Sequence, residues 1–316
     1  MARFLPTARI KTVLTSNRTF GIELEVHLPH GRSHAQLAAA ISRAGVSCRS
    51  EHYNHNTVAH WKVTTDGSLG YEGGAEVVSP VLSGEAGIIE ARQVADAIKA
   101  FGCTVSVRCG FHVHVGAADL TVNQLRNVAI LYVFCETAFD AIMPPSRRRD
   151  LNTYILSNRT AFGGSYDNEA VNRAIAAYKA ATTKGQLIEI VSGANRCSGR
   201  DHVARYRKLN FHPLNRYGTV EFRQHSGTVE ADKVANWVEL CVRLVDRALT
   251  GKPRSRPSTR PHNPANELNM LLSYVRVPPT VKRFYQQRRR DLCDARLARA
   301  AHQARAAGRE YQAPAE

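Results

Sequence analysis

Four short segments of this sequence alternate apolar residues with ionisable ones, and this alternation limits what the chain can fold into. Side chains two residues apart share one face of a β-strand, so each segment predicts a strand with an apolar face and a charged face. An ordinary half-solvated sheet also alternates, but its polar face usually carries neutral side chains and lysine. Here the faces hold carboxylates, imidazoles, guanidinium and ammonium groups, which predicts a charged cleft floored by a sheet. The segments are residues 20–26, 111–115, 206–212 and 219–225.

The first segment points to a bound divalent cation. It places Glu23 and Glu25 on one face, and neighbouring carboxylates repel each other unless a cation lies between them. Asp66 and Glu76 are further oxygen donors in the turn and strand that follow. Oxygen ligands favour Mg²⁺ or Mn²⁺, and an added imidazole favours Mn²⁺ or Zn²⁺. Arg223 offers a fork for phosphate, although an ordinary cross-strand ion pair would also explain it.

The order of the predicted elements favours the α+β class with a mainly antiparallel sheet, because strands do not alternate regularly with single helices. Apolar periodicity and caps predict helices, listed here as residues 33–44, 84–101, 121–142, 168–194, 232–249 and 281–307. We expect four parts of the chain: an N-terminal extension over residues 1–18, a catalytic domain over 19–250, a Pro/Arg-rich linker over 251–264 and a basic helical appendage over 265–316.

Composition excludes several classes of protein. No apolar run is long enough to cross a bilayer or to form a signal peptide, and seven cysteines without a C-x-x-C pair are typical of reduced thiols. We therefore expect a soluble, cytoplasmic protein that does not enter a membrane. The P-loop and dinucleotide-binding glycine motifs are absent from the sequence.

The net charge of +16 raises the alternative of a nucleic-acid partner. Residues 251–316 carry 14 Lys and Arg against 5 Asp and Glu, a net of +9. The excess of charge therefore lies in the tail, which is more often a solvated helix face or an assembly contact. Nucleic-acid binding through the tail and assembly into a homo-oligomer both stay open.

Six motifs, in this order, resemble the amidoligase family, whose members are related to glutamate–cysteine ligase and share the glutamine synthetase fold. The motifs are TFGIELE at 19–25, DGSL at 66–69, EVVSP at 76–80, CGFHVHV at 109–115, YRKLN at 206–210 and TVEFRQHSGT at 219–228. The resemblance covers about residues 19 to 249. No family motif is apparent in residues 143–164 or from residue 251 onward.

The resemblance implies a curved half-barrel sheet, with helices on its outer face, that binds ATP and Mg²⁺. It implies that the metal ligands are Glu23, Glu25, Asp66, Glu76, His112 and Glu221. It also implies that His112 or His114 lies near the nucleotide phosphates and that Arg223 contacts the transferred phosphate. Lys208 and Asn210 are expected to line the site, with Lys208 and Glu221 joining Arg223 as catalytic residues.

The function that follows is an ATP- and Mg²⁺-dependent ligase that joins a carboxylate, such as glutamate or a peptide carboxylate, to an amine through an acyl phosphate. This chemistry needs no protein nucleophile, so the cysteines need no catalytic role. Three alternatives stay open. They are a phosphotransferase to a nitrogen acceptor on the same fold, a zinc hydrolase organised around His112 and His114, and a non-catalytic nucleic-acid-binding protein that uses the basic tail.

Overall fold

A computed structural model describes residues 16–65, 67–69, 73–162, 167–193, 205–250 and 264–306. Within these ranges, eight strands form one sheet in the order β2-β3-β4-β1-β6-β8-β7, and β5 pairs with the start of β1. All neighbouring strands are antiparallel except β2 and β3. The predicted α+β class with a mainly antiparallel sheet is confirmed. Asp66, residues 1–15 and residues 251–263 lie outside the described part of the chain, so their predicted roles stay predictions.

The strands are β1 Thr19–His27, β2 Cys48–Ser50, β3 Trp61–Thr64, β4 Gly74–Val78, β5 Leu82–Ser83, β6 Gly110–Gly116, β7 Leu209–Asn210 and β8 Thr219–Ser226. Two of them are shorter than the sequence predicts. Residues 104–115 are strand-like in the sequence, but β6 begins at Gly110, and an isolated bridge joins Thr104 to His27. The expected strand over 206–212 is reduced to two residues.

The helices are α1 His34–Arg43, α2 Gly84–Phe101, α3 Val122–Ala141, α4 Asn168–Ala180, α5 Lys184–Ser192, α6 Ala231–Thr250, α7 Pro264–Tyr274 and α8 Pro279–Ala306. Local chemistry sets several of their ends. Ser33, Thr121 and Thr183 cap α1, α3 and α5 through reciprocal side-chain bonds with the glutamine three residues later. Gly102 ends α2 in the left-handed conformation, with φ of 93°, which glycine adopts without steric cost.

The apolar face of the sheet forms the core. Ile22, Leu24 and Val26 alternate with the acidic residues of β1 and are almost fully buried. They belong to one continuous apolar cluster that also contains Trp237 on α6 and Phe139 on α3. Helices therefore cover one face of the sheet and leave the charged face for the cleft. Within the described residues, no helix is long and apolar enough to cross a membrane.

The C-terminal helices differ from the expected appendage. Leu268, Leu271 and Leu272 of α7 are buried in the same apolar cluster as the sheet, and so is Tyr285 of α8. Arg288 also donates from Nε to the carbonyl oxygen of Ile142, over 2.7 Å, at the end of α3. The sequence pattern does not predict α7, because its first residue, Pro264, is the last residue of a proline-rich segment. The arginine-rich composition of α8 likewise suggests an exposed helix, although apolar side chains of its first turns are buried.

This packing predicts that α7 stabilises the whole domain. Replacing Leu272 with alanine removes a fully buried side chain and should lower the free energy of unfolding by about 2–5 kcal/mol. The matched control is Met270→Ala on the same helix, since that side chain is 46% exposed; it should change stability by less than about 0.5 kcal/mol. Chemical denaturation measures both. Equal, small effects would show that α7 is peripheral.

Candidate active site

Strand pairing places the ionisable side chains of the charged face next to one another. The neighbouring strands β4, β1, β6 and β8 each contribute one or two ionisable side chains, which lie opposite one another across the strand pairs. The pairs directly opposite each other are Glu25 with Glu76, Glu23 with His112, and His114 with Glu221. The cleft above this face has a volume of about 2220 Å³, and all six side chains line it. The convergence predicted from the alternating segments is therefore present.

The centre of the cleft floor is a cluster of two carboxylates and two imidazoles. His112 Nδ1 lies 3.0 Å from Glu23 Oε2, and His114 Nε2 lies 3.2 Å from Glu23 Oε1. The second carboxylate, Glu221, has its Oε1 3.8 Å from His112 Nδ1 and 3.7 Å from His114 Nε2. Thr219 orients His114 from the other side, with its hydroxyl 3.1 Å from Nδ1.

Glu221 is held in place by neutral and cationic donors. Asn210 on β7 donates from Nδ2 to Glu221 Oε2 over 2.7 Å, and Arg223 donates from Nη1 to Glu221 Oε1. The guanidinium of Arg223 also lies over the ring of Tyr206, 6.0 Å from its centroid. Asn210 and Arg223 thus lie at the site, as the sequence predicts, and Arg223 adds positive charge beside the carboxylates.

Neighbouring charges lower the pKa of the two central carboxylates. Burial raises the pKa of Glu23, but the charge of His114 and the hydrogen bond from His112 outweigh it and hold the pKa well below its ordinary value. Burial likewise raises the pKa of Glu221, and the charges of Arg223 and His114 outweigh that effect and lower it. Burial would lower the pKa of His114, but Glu221 and Glu23 raise it. The two carboxylates are therefore negative and available to a cation.

The geometry fits a divalent metal ion. One ligand atom each from Glu23, His114 and Glu221 lies within 4.8 Å of the others. His114 Nε2 is buried and faces Oε1 of both Glu23 and Glu221, at 3.2 and 3.7 Å, so this nitrogen is placed to ligate a metal ion together with the two carboxylates. Two carboxylates and one imidazole suit Mg²⁺ or Mn²⁺, with the nitrogen favouring Mn²⁺. Of the two histidines, His114 is the better-placed ligand.

Glu25 and Glu76 extend the acidic floor toward the start of β6. Glu25 is almost fully buried, and its Oε2 accepts a hydrogen bond from the backbone amide of Gly110 over 2.6 Å. Gly110 is needed here because a Cβ atom at this position would lie 2.7 Å from His112 Nε2. His112 Nε2 is 3.7 Å from Glu25 Oε1, so His112 links the two carboxylates of β1.

Arg147 is a cleft residue that no sequence motif predicts. It lies in residues 143–164, where no family motif is apparent, yet it is almost fully buried and lines the cleft. Burial lowers the pKa of its guanidinium, while the charge of Glu25 partly offsets that effect. Its Nη2 donates to the carbonyl oxygen of Cys109, which fixes the segment leading into β6. Only the fold reveals this residue.

The structure does not bring Lys208 to the cleft. Its ammonium is fully buried on the helix side of the sheet, where Nζ donates to Asp140 Oδ1 over 2.8 Å and to Glu136 Oε1 over 3.0 Å. Lys208 precedes the two-residue strand β7, so the alternation that would place it beside Asn210 does not apply. The expectation that Lys208 lines the site is wrong on this geometry, because Lys208 forms ion pairs with two carboxylates of α3.

A β-bulge turns His225 away from the cleft as well. Phe111 pairs with His225 but Val113 pairs with Phe222, so β8 contains one residue more than β6 over this stretch. The extra residue moves His225 to the helix side, where its ring lies 5.2 Å from that of Trp237. Burial holds the pKa of His225 well below its ordinary value. Strict alternation over residues 219–225 predicts that His225 shares a face with Glu221, and the bulge makes that prediction wrong.

Comparison with known proteins assigns the chain to a family. Residues 16–245 match the family model described as "Putative amidoligase enzyme", and the match spans the strands that form the acidic floor. The chain belongs to this family. Amidoligases are enzymes of the ligase type, whose substrates are a carboxylate and an amine. The resemblance in the six sequence motifs is thereby confirmed.

Similarity to individual proteins is weaker. No curated protein matches the chain. One similar solved structure is described as the crystal structure of a novel glutamine synthase homolog. It shares 14% sequence identity with this chain, the match covers 88% of this chain and 67% of the other, and the TM-score is 0.43.

The position of Lys208 predicts a structural effect of its removal. Lys208→Met would remove the buried ammonium that pairs with Glu136 and Asp140 and should lower the free energy of unfolding by about 3–5 kcal/mol. The control is Lys179→Met, since Lys179 is exposed on α4; it should cost less than about 0.5 kcal/mol. Thermal and chemical denaturation measure both effects. A Lys208→Met protein of unchanged stability would contradict the structural role.

Proposed function

We propose that the protein is an ATP- and Mg²⁺-dependent ligase that forms an amide or isopeptide bond between a carboxylate and an amine. The observation that carries this proposal is the convergence of Glu23, His114 and Glu221 on one point of the cleft floor, with Arg223 beside them. A cation site next to a guanidinium is the arrangement that phosphoryl transfer from a nucleotide requires.

ATP makes the reaction favourable by changing the leaving group. An oxygen of the substrate carboxylate bonds to the γ-phosphorus, and the bond to ADP breaks. The amine nitrogen then attacks the carbonyl carbon of the acyl phosphate, and phosphate leaves with the electrons of the broken C–O bond. The proton lost by the nitrogen passes to a carboxylate or imidazole of the cleft. No cysteine takes part.

The side chains of the site have distinct tasks in this scheme. Glu23, His114 and Glu221 would hold the metal ion, which neutralises charge on the phosphates when bound. Asn210 fixes the orientation of Glu221 through its hydrogen bond. Arg223 stabilises the negative charge on the transferring group, and stacking on Tyr206 limits the positions of its guanidinium.

Loss of either charged partner should abolish turnover. Glu221→Gln and Arg223→Ala should each reduce ATP-dependent phosphate release by about 100- to 1000-fold, because each removes a preorganised charge next to the transferring group. The assay supplies Mg²⁺-ATP with pools of amino acids and amines, and mass spectrometry identifies the product. Circular dichroism establishes that the variants keep the fold.

The control is Arg92→Ala, since Arg92 pairs with Asp232 on the surface, away from the cleft. It should retain full activity. Undiminished turnover in Glu221→Gln would rule out the assignment of this carboxylate. A phosphorylated amine in place of an amide would identify a phosphotransferase instead, and turnover without ATP that a zinc chelator stops would identify a hydrolase.

A further inference from the structure

Exposed apolar side chains gather around the mouth of the cleft. Nine large hydrophobic side chains are exposed among the described residues, and six of them line this one cleft. Their exposed fractions run from 38% to 72%. A concentration of this kind marks a binding surface, whereas scattered exposed apolar residues need no explanation. The six are Tyr53, Val81, Val107, Leu151, Tyr154 and Tyr217.

These side chains lie on both sides of the acidic centre. Val81 follows β4 and Tyr217 precedes β8, so both lie near the end of the sheet where β1 begins. Val107 precedes β6, which runs antiparallel to β1, and therefore lies near the opposite end. Tyr53 lies near Val81 and Tyr217, because the hydroxyl of Tyr217 donates a hydrogen bond to the backbone carbonyl oxygen of His55, two residues from Tyr53, over 3.0 Å. The surface thus continues along the strands past the reacting centre in both directions.

The cleft is larger than a nucleotide alone needs. Sites for small molecules and cofactors usually enclose about 300–1,000 Å³, whereas this cleft encloses about 2220 Å³. A bound nucleotide would therefore leave more than half of the cleft volume for other substrates. The volume favours a polymer as one of the substrates.

Arginines at the mouth indicate the charge of that polymer. Arg108, Arg205 and Arg216 are exposed, line the cleft and form no ion pair within the described residues. Arg216 stacks over Tyr217, 5.3 Å from the ring centroid, and Arg205 lies 5.2 Å from that of the neighbouring Tyr206. Tyrosine and arginine are enriched at the energetic centres of protein interfaces, and the arginine fork matches a carboxylate.

We propose that the cleft binds an extended, acidic polypeptide segment, and that a side-chain or terminal carboxylate of this segment is the group that the ligase activates. This inference rests on the proposed function and specifies its carboxylate substrate. The nine residues of β1 span about 30 Å, which accommodates about eight residues of extended peptide. The arginines at the mouth hold flanking acidic side chains, and the apolar side chains hold the peptide between them.

The acidic floor distinguishes a peptide from a nucleic acid. Aromatic side chains in a basic groove also suit single-stranded nucleic acid. However, a continuous phosphate chain would run across the carboxylates Glu23, Glu25, Glu76 and Glu221, which repel it. A peptide backbone is neutral and can present a single carboxylate at the centre.

A binding experiment tests the inference without relying on turnover. The probe is a fluorescein-labelled peptide of about eight residues that contains glutamate and tyrosine, in the presence of Mg²⁺ and a non-hydrolysable ATP analogue. Fluorescence anisotropy should show binding that weakens at least about fivefold in Tyr53→Ser and in Tyr154→Ser. Arg205→Ser should weaken it similarly. Ile89→Ser is the control, since Ile89 is exposed on α2 outside the cleft, and it should bind normally.

Three results would overturn the inference. The first is equal binding of a peptide in which glutamine replaces every glutamate. The second is binding that none of the three cleft variants changes. The third is tighter binding of a labelled oligothymidylate than of the acidic peptide, which would identify a nucleic-acid groove.

Turnover separates this inference from the proposed function. The peptide should stimulate phosphate release and amide formation more than free glutamate does at the same carboxylate concentration. Stimulation by free glutamate alone would overturn the peptide substrate and leave the ligase intact. If neither the peptide nor free glutamate supported turnover, the proposed ligase activity would be contradicted. The binding experiment would still decide whether the cleft binds an acidic peptide.

Discussion

Repulsion between carboxylates on one face of the sheet is the constraint on which the site depends. Glu25 lies directly opposite Glu76, and Glu23 shares a cluster with Glu221. Like charges opposite each other destabilise a sheet, so this face is stable only with positive charge among the carboxylates. Arg223, which pairs with Glu221, supplies part of that charge. A divalent cation would supply the rest, which joins the stability of the floor to its chemistry.

Buried hydrogen bonds on the helix side of the sheet fix the direction in which the cleft side chains of β8 point. Gln224 follows Arg223 in β8 and donates to Asp140 Oδ1 over 2.5 Å, while Lys208 neutralises Asp140 from the neighbouring segment. The amide of Arg223 donates to the carbonyl oxygen of Lys208 over 2.8 Å. These buried bonds hold β8 at its bulge, where Arg223 points to the cleft. Buried polar groups that are fully paired specify one arrangement of the chain.

The sequence was sufficient to predict the floor of the site because alternation is local. Glu23, His112, His114 and Glu221 follow from strand periodicity alone, and the caps at Ser33 and Thr121 follow from side-chain chemistry. Lys208 and His225 were placed on the wrong face because a short strand and a bulge depend on pairing with distant residues. Arg147 and α7 were missed for a related reason, since burial beneath other elements leaves no periodic signal in a short or proline-flanked segment.

We propose that Glu23, His114 and Glu221 together bind one divalent cation. Pulsed electron paramagnetic resonance of Mn²⁺ bound to the protein tests it most directly, because coupling to nitrogen reports an imidazole ligand. The expected result is coupling from a single imidazole, which His114→Gln removes and His112→Gln retains. Bound Mn²⁺ without nitrogen coupling, or coupling that only His112→Gln removes, would contradict it.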